Sequence, residues 1–283
     1  MQRKPVHIYK GKTFTKMKQQ GSYSSHNSSK KVIVFDLDET LGAFGEMFLM
    51  WSAIEPYMGF IDKKMIFREL LELYPEFLRP GVLSILEFLN YKKKAGVCSS
   101  IFLYTNNQCP KEWVDLILEY FEERLKCPDL FDKVVYAFKI NNKIVEPLRT
   151  SHSKIYSDLI RCTLMPKNSE LCFIDNTYHR KMDHDRVYYI QPKSYEHGLL
   201  PEEIITRFMR KWLIFPLPDE VEDSLREWFS HIRPNNGGSV QESLIVSQKI
   251  MYHLKEYFLL STKMPKTKKI SFGLGRFTRK KRG

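Results

Sequence analysis

Apolar positions in this chain fall into short continuous runs separated by amphipathic stretches. Val32-Ile33-Val34-Phe35 is one such run, mostly β-branched, as expected of a strand buried on both faces. Ile101-Phe102-Leu103-Tyr104-Thr105 and Leu171-Cys172-Phe173-Ile174-Asp175 repeat it, and Lys133–Phe138 and Val187–Ile190 read as two further strands. Between the runs the period becomes helical. Arg79-Pro80-Gly81 opens a helix with Leu83, Leu86 and Leu89 on one face. Pro110, tolerated in a first turn, leads one carrying Trp113, Leu116, Ile117, Tyr120 and Phe121, and Ser153–Cys162 forms another. Strands alternating with helices predict an α/β fold, a doubly wound parallel sheet with helices on both faces. Ligands in such sheets gather beyond the carboxyl ends of the strands. Three of those ends here carry Asp36 with Asp38, Thr105, and Asp175.

The rest of the chain frames that unit. Gln19–Ser29 is rich in Ser, Gly, Gln and Asn, so residues 1–30 read as a disordered basic tail. Residues 31–200 form the α/β domain, with an insert over about 42–78. That insert reads as helices at Met47–Met58 and Lys63–Leu73, whose Trp51, Tyr57, Phe60 and Phe67 belong to the core or line a groove. Residues 201–262 form a helical extension (Glu202–Leu213, Asp219–Ile232, Ser239–Leu260), and 263–283 a second basic tail.

Charge follows the same division. The formal net charge is +12, yet residues 1–31 hold eight Lys/Arg and residues 263–283 hold nine, with no acid in either. Taking those seventeen from +12 leaves −5 for residues 32–262. The basic ends suit contact with nucleic acid, nuclear import or simple solubility, and no DNA- or RNA-reading motif accompanies them. No stretch is long and apolar enough to span a bilayer, and the basic N-terminus lacks the apolar segment of a secretory signal. Five cysteines without a CxxC pair are expected to be thiols in a reducing compartment, so the reading is an intracellular protein with no membrane association.

Asp36 and Asp38 lie one residue apart, which on an extended chain would point both to one side. Two like charges so close are costly unless a cation, a proton or phosphate chemistry uses them. The structural alternative is a strand followed by an acidic helix cap, with Thr40 as the capping residue.

Asp36-Leu37-Asp38-Glu39-Thr40-Leu41, Leu78-Arg79-Pro80-Gly81, Leu103-Tyr104-Thr105-Asn106 and Phe173-Ile174-Asp175-Asn176 occur in this order. Together they resemble the haloacid-dehalogenase superfamily, and more narrowly the small phosphatases of the RNA polymerase II carboxy-terminal domain (the NLI-interacting-factor-like family), over about residues 30–195. The resemblance implies a haloacid-dehalogenase-like fold and a phosphoric monoester hydrolase, a Mg²⁺-dependent protein serine/threonine phosphatase. Asp36 would be the nucleophile, forming an aspartyl-phosphate, and Asp38 the general acid and base. Thr105 would bond a phosphoryl oxygen, while Thr40 and Asn106 could help to hold the loop and the phosphate. Mg²⁺ would be held by Asp36, Asp175, Asn176 and the main-chain carbonyl of Asp38. The cation facing the phosphoryl group would be Lys154 or, by a different alignment of Ser153…Asp158-Leu159, Arg149. Asn176 stands where many relatives carry a second Asp, and the expected strand-rich flap is replaced by the helical insert. The implied substrate is a phosphorylated protein such as a polymerase tail, in a nuclear, cytoplasmic or large-DNA-virus setting. A nucleic-acid-end phosphatase, which the basic tails would suit, and an inactive phosphoprotein-binding scaffold are the alternatives.

Overall fold

The computed structural model describes residues 5–15, 30–59, 62–212, 220–230 and 239–260. Six strands form one mixed sheet: β1 (Val6–Lys10), β2 (Lys31–Phe35), β3 (Ser100–Tyr104), β4 (Lys133–Val135), β7 (Glu170–Ile174) and β8 (Val187–Pro192). Their spatial order is β1-β8-β7-β2-β3-β4, and only β1 runs antiparallel to its neighbour. A two-residue-per-strand hairpin, β5 (Lys139–Ile140) with β6 (Lys143–Ile144), follows β4. The helices are α1 (Phe44–Ile54), α2 (Lys63–Leu73), α3 (Val82–Lys94), α4 (Lys111–Arg124), α5 (Tyr156–Thr163), α6 (Pro201–Trp212), α7 (Glu220–Ser230) and α8 (Val240–Leu260).

The two-residue period of the strands divides their side chains between two cores. Ile33, Phe35, Ile101, Leu103, Cys172, Ile174, Tyr188 and Ile190 enter the larger one, which α1–α4 and α6–α8 cover. Val32, Val34, Phe102, Tyr104, Leu171, Phe173, Val187 and Tyr189 enter the smaller one, closed by Leu159 and Cys162 of α5 and by Met182. All five residues of β2 and of β7 are buried, which explains the apolar runs Val32–Phe35 and Leu171–Ile174 within them.

Several expectations need correction. The insert is helical, but its first helix is Phe44–Ile54, and Glu55-Pro56-Tyr57 continues as a 3-10 turn. Trp51 and Phe67 are buried against Trp113, ring to ring at 5.9 and 5.2 Å, so these two aromatics belong to the core; Phe60 lies outside the described residues. The extension shares the main core through Ile204, Phe208, Leu225, Ile250 and Leu254, so the 200/201 boundary divides no core. Residues 6–15, expected within a disordered tail, contain β1 and a helical turn at 12–15. Strand β1 pairs Val6 with Pro192 through to Lys10 with Tyr188, covering the otherwise open edge of β8. Gly11 permits this docking, since a Cβ there would sit 2.3 Å from the His184 carbonyl oxygen. Gln19–Ser29 and the basic segment 263–283 lie outside the described residues. Among those described, no helix is long and apolar enough to cross a membrane.

Candidate active site

From β2 the chain steps outward to β3 and β4, then crosses back to β7 and β8 on the other flank. The gap between the carboxyl ends of β2 and β7 is therefore the topological switch point, where open α/β sheets bind ligands. Asp36 follows β2 and donates its N–H to the Ile174 carbonyl (2.9 Å), and Asp175 follows β7. Parallel pairing of Phe35 with Ile174 thus sets the two acids side by side.

Lys154 completes this centre from the segment just before α5. Its ammonium bonds Asp36 Oδ1 and, at 2.7 Å, Asp175 Oδ2, and lysine and both acids are almost wholly buried. Burial drives the Asp36 carboxyl up from its ordinary range; Lys154 opposes this, while Asp175 and Asp38 add to it. Burial also acts to raise Asp175, but Lys154 and the His179 hydrogen bond outweigh it and hold that carboxyl below its usual value. Burial would lower Lys154, and the two carboxylates overcome it so that the ammonium is held above its usual value. Asp175 Oδ1 accepts from Thr177 N (2.8 Å) and Oδ2 lies 3.2 Å from His179 Nε2.

Asp38 is separated from Asp36 by Leu37, which is buried, and by the turn beginning at Glu39 (φ 58°). A glutamate in the left-handed region is strained, so surrounding structure must hold it. Arg79 is the holder. Its buried guanidinium donates to the carbonyls of Thr40 (2.6 Å), Glu39 (2.5 Å) and Lys193 (2.9 Å). Asp38 Oδ2 accepts from Asn107 Nδ2 (2.9 Å), and its Oδ1 is buried without a protein partner. Burial raises the Asp38 carboxyl, with the Asn107 hydrogen bond opposing. A buried carboxyl raised in this way is suited to hold a proton for transfer.

The structure thus gathers Asp36, Thr40, Lys154, Asp175 and Asn176 into one hydrogen-bonded cluster. Thr40 Oγ1 lies 3.1 Å from Asp36 Oδ2 and 2.9 Å from Asn176 Oδ1 and accepts from Asn176 N (3.1 Å). It therefore ties the first loop to the fourth. Asp38 joins at the side through Asn107, whose backbone N–H also meets Thr105 Oγ1 (2.9 Å). Arg149 is placed apart. It donates to the carbonyls of Thr105, Tyr136 and His152 and to Asn106 Oδ1 (2.7 Å), so it and Asn106 buttress the loop after β3. Sequence reasoning assigned no role to Asn107 or His179 and read Arg79 only as part of the Leu78–Gly81 segment. A buried arginine in an Arg-Pro-Gly turn was the one available signal, because so large a guanidinium is buried only where several acceptors await it.

Among the described residues no three His, Cys, Asp or Glu side chains converge closely enough to ligate one ion by themselves. The chain matches no known protein family, no curated protein and no solved structure in the comparisons made with each.

Proposed function

We propose that this chain is a Mg²⁺-dependent phosphatase of the haloacid-dehalogenase type that removes phosphate from phosphoserine or phosphothreonine of a protein. One observation carries the reading: a buried lysine bridges Asp36 and Asp175 at the switch point of a parallel sheet, with a second acid, Asp38, beside them. The phosphoprotein substrate rests on the resemblance of the four motifs to protein phosphatases of that family.

The donor set fits Mg²⁺. Asp36 and Asp175 share a single ammonium, and a third acid, Asp38, stands beside them, held by Asn107. Magnesium takes hard oxygen ligands and keeps several waters, so one or two carboxylates suffice. Asp36, Asp175, Asn176 and the Asp38 carbonyl would hold it, and it would supply positive charge against the phosphoryl oxygens.

The protein's own groups account for the rest. Asp36, as carboxylate, attacks phosphorus; the Asp36–phosphorus bond forms as the bond to the serine oxygen breaks and that oxygen leaves with the electron pair. Asp38 gives this oxygen its proton. Asp38, now a carboxylate, takes a proton from the water that attacks the aspartyl-phosphate, releasing phosphate and restoring Asp36. Lys154 keeps a fixed positive charge at the nucleophile, and Thr105 has its hydroxyl hydrogen free because Asn107 N–H occupies its oxygen.

Hydrolysis of a phosphoserine peptide and of an end-phosphorylated oligonucleotide, measured side by side with Mg²⁺, tests the assignment. The peptide is expected to turn over faster, and Asp36→Asn is expected to abolish turnover while the protein stays folded. Robust hydrolysis by Asp36→Asn would remove Asp36 as the nucleophile, and preference for the oligonucleotide would overturn the protein substrate.

A further inference from the structure

We infer that Asn107 is a positioning residue for the proton transfer: it fixes which oxygen of Asp38 carries the proton and so aims that proton at the leaving group. The inference rests on the phosphatase reading above.

The amide of Asn107 has only one orientation compatible with its neighbours. Its Oδ1 accepts the backbone N–H of Cys109 (2.7 Å), a local turn closed by the side chain. With Oδ1 so engaged, the group facing Asp38 Oδ2 at 2.9 Å is the Nδ2 amine, a donor only. Asp38 Oδ2 must then accept. A proton on the same oxygen would meet an N–H head-on, so a protonated Asp38 carries it on Oδ1. That oxygen is buried and has no protein partner. A buried hydroxyl without an acceptor is costly, and the missing acceptor is supplied when a phosphoester oxygen enters.

The backbone of the same residue serves the other half of the site. Asn107 N–H donates to Thr105 Oγ1 (2.9 Å), which leaves the threonine hydrogen for a phosphoryl oxygen. One residue therefore orients an acid through its side chain and a phosphate donor through its main chain. Asn107 is only 9% exposed, so water does not readily replace its amide.

In the step concerned, the proton moves from Asp38 Oδ1 to the oxygen that leaves phosphorus with the bonding pair, and Asp38 becomes a carboxylate. An alkyl oxygen such as that of serine needs this proton, whereas an aryl oxide leaves nearly as well without it. Loss of aim should consequently depend on the leaving group. Loss of packing should not.

The experiment measures single-turnover release of the leaving group by full-length protein with Mg²⁺, from a phosphoserine peptide and from p-nitrophenyl phosphate. Asn107→Ala is expected to slow the peptide by about 10- to 100-fold and the aryl ester by less than about 3-fold, as expected for a displaced general acid. Asn107→Ser is the second variant. Its hydroxyl can still close the turn at Cys109, but is too short to reach Asp38, so it keeps the fold and should show the same selective loss. Equal losses on both substrates, or none, would overturn the role of Asn107 while leaving Asp36 and Asp38 in place. Failure of the unaltered protein to cleave either substrate would instead overturn the phosphatase reading, and this inference with it.

Discussion

Replacing Lys154 by methionine tests the electrostatics of the site without any assay of activity. The substitution keeps the length of the side chain and removes its charge, so packing against Tyr104 and Phe173 is largely retained. What remains is two buried carboxylates that shared one ammonium. Breaking a buried ion pair from one side costs about 3–5 kcal/mol, because the abandoned charge stays desolvated. The sign with pH follows from the three shifts. Asp175 is held low, so it stabilises the fold above the ordinary carboxylate range and that support fades as pH falls. Asp36 is held high, so its contribution is present at low pH and is lost as pH rises through its folded value. Lys154 is held above 10.5 and stabilises at every pH below that. Without the lysine both acids move upward, and the penalty grows with pH. Urea unfolding should therefore show a loss of about 3–5 kcal/mol at pH 7 that declines as pH falls and is smallest below the ordinary carboxylate range. Adding Asp36→Asn to Lys154→Met should recover part of the loss, the mark of direct coupling. A loss below about 1 kcal/mol at pH 7, or one unchanged by acid, would refute a charged bridge.

Two further substitutions probe the frame around the site. In Gly11→Ala the new Cβ would meet the carbonyl oxygens of His184 and Asp185 at 2.3 and 2.4 Å, so β1 must shift, at a cost on the order of 1–3 kcal/mol. Amide exchange at Val6–Lys10 should quicken, and unchanged protection there would count against the tight approach. Leu164 ends α5 in the left-handed region (φ 56°) and is 81% exposed, so it gains little by packing. Leu164→Gly should raise stability by about 0.5–1 kcal/mol, after relief of strain exceeds the entropy glycine loses on folding. A lower unfolding midpoint would show that strain at this cap is not the dominant effect.

The centre of the sheet was legible in the sequence because β2, β3 and β7 are buried on both faces and run apolar after Lys31, Ser100 and Glu170. Strand ends were less so: the strand read over Lys133–Phe138 stops at Val135, and the hairpin β5–β6 beyond it was not read at all. Its turn residues Asn141 and Asn142 both have positive φ (48° and 61°), the two-residue connection that asparagine favours, so that signal was present and overlooked. Strand β1 had no such signal. Val6-His7-Ile8-Tyr9-Lys10 is short and flanked by lysines, and it becomes a strand because β8 offers an unpaired edge. In the site, the apolar-run-then-acid pattern exposed Asp36, Asp38 and Asp175, since strand periodicity locates them. Asn107 and His179 are polar loop residues whose partners are set by tertiary packing. The 69-residue separation between Asn107 and Asp38 leaves no trace in local sequence.

The last helix has a kinetic consequence. Tyr257 donates to the carbonyl of Glu170 (2.8 Å), and Lys31 reaches the carbonyl of Phe258 (2.7 Å), so the amino-terminal ends of β2 and β7 are roofed by residues more than 220 and 80 positions downstream respectively. During vectorial synthesis those strands emerge long before their cover exists. Closure at that end must wait until Tyr257 and Phe258 have been made, and a nascent form arrested before Leu254 would leave a greasy, hydrogen-bond-hungry floor open to chaperones.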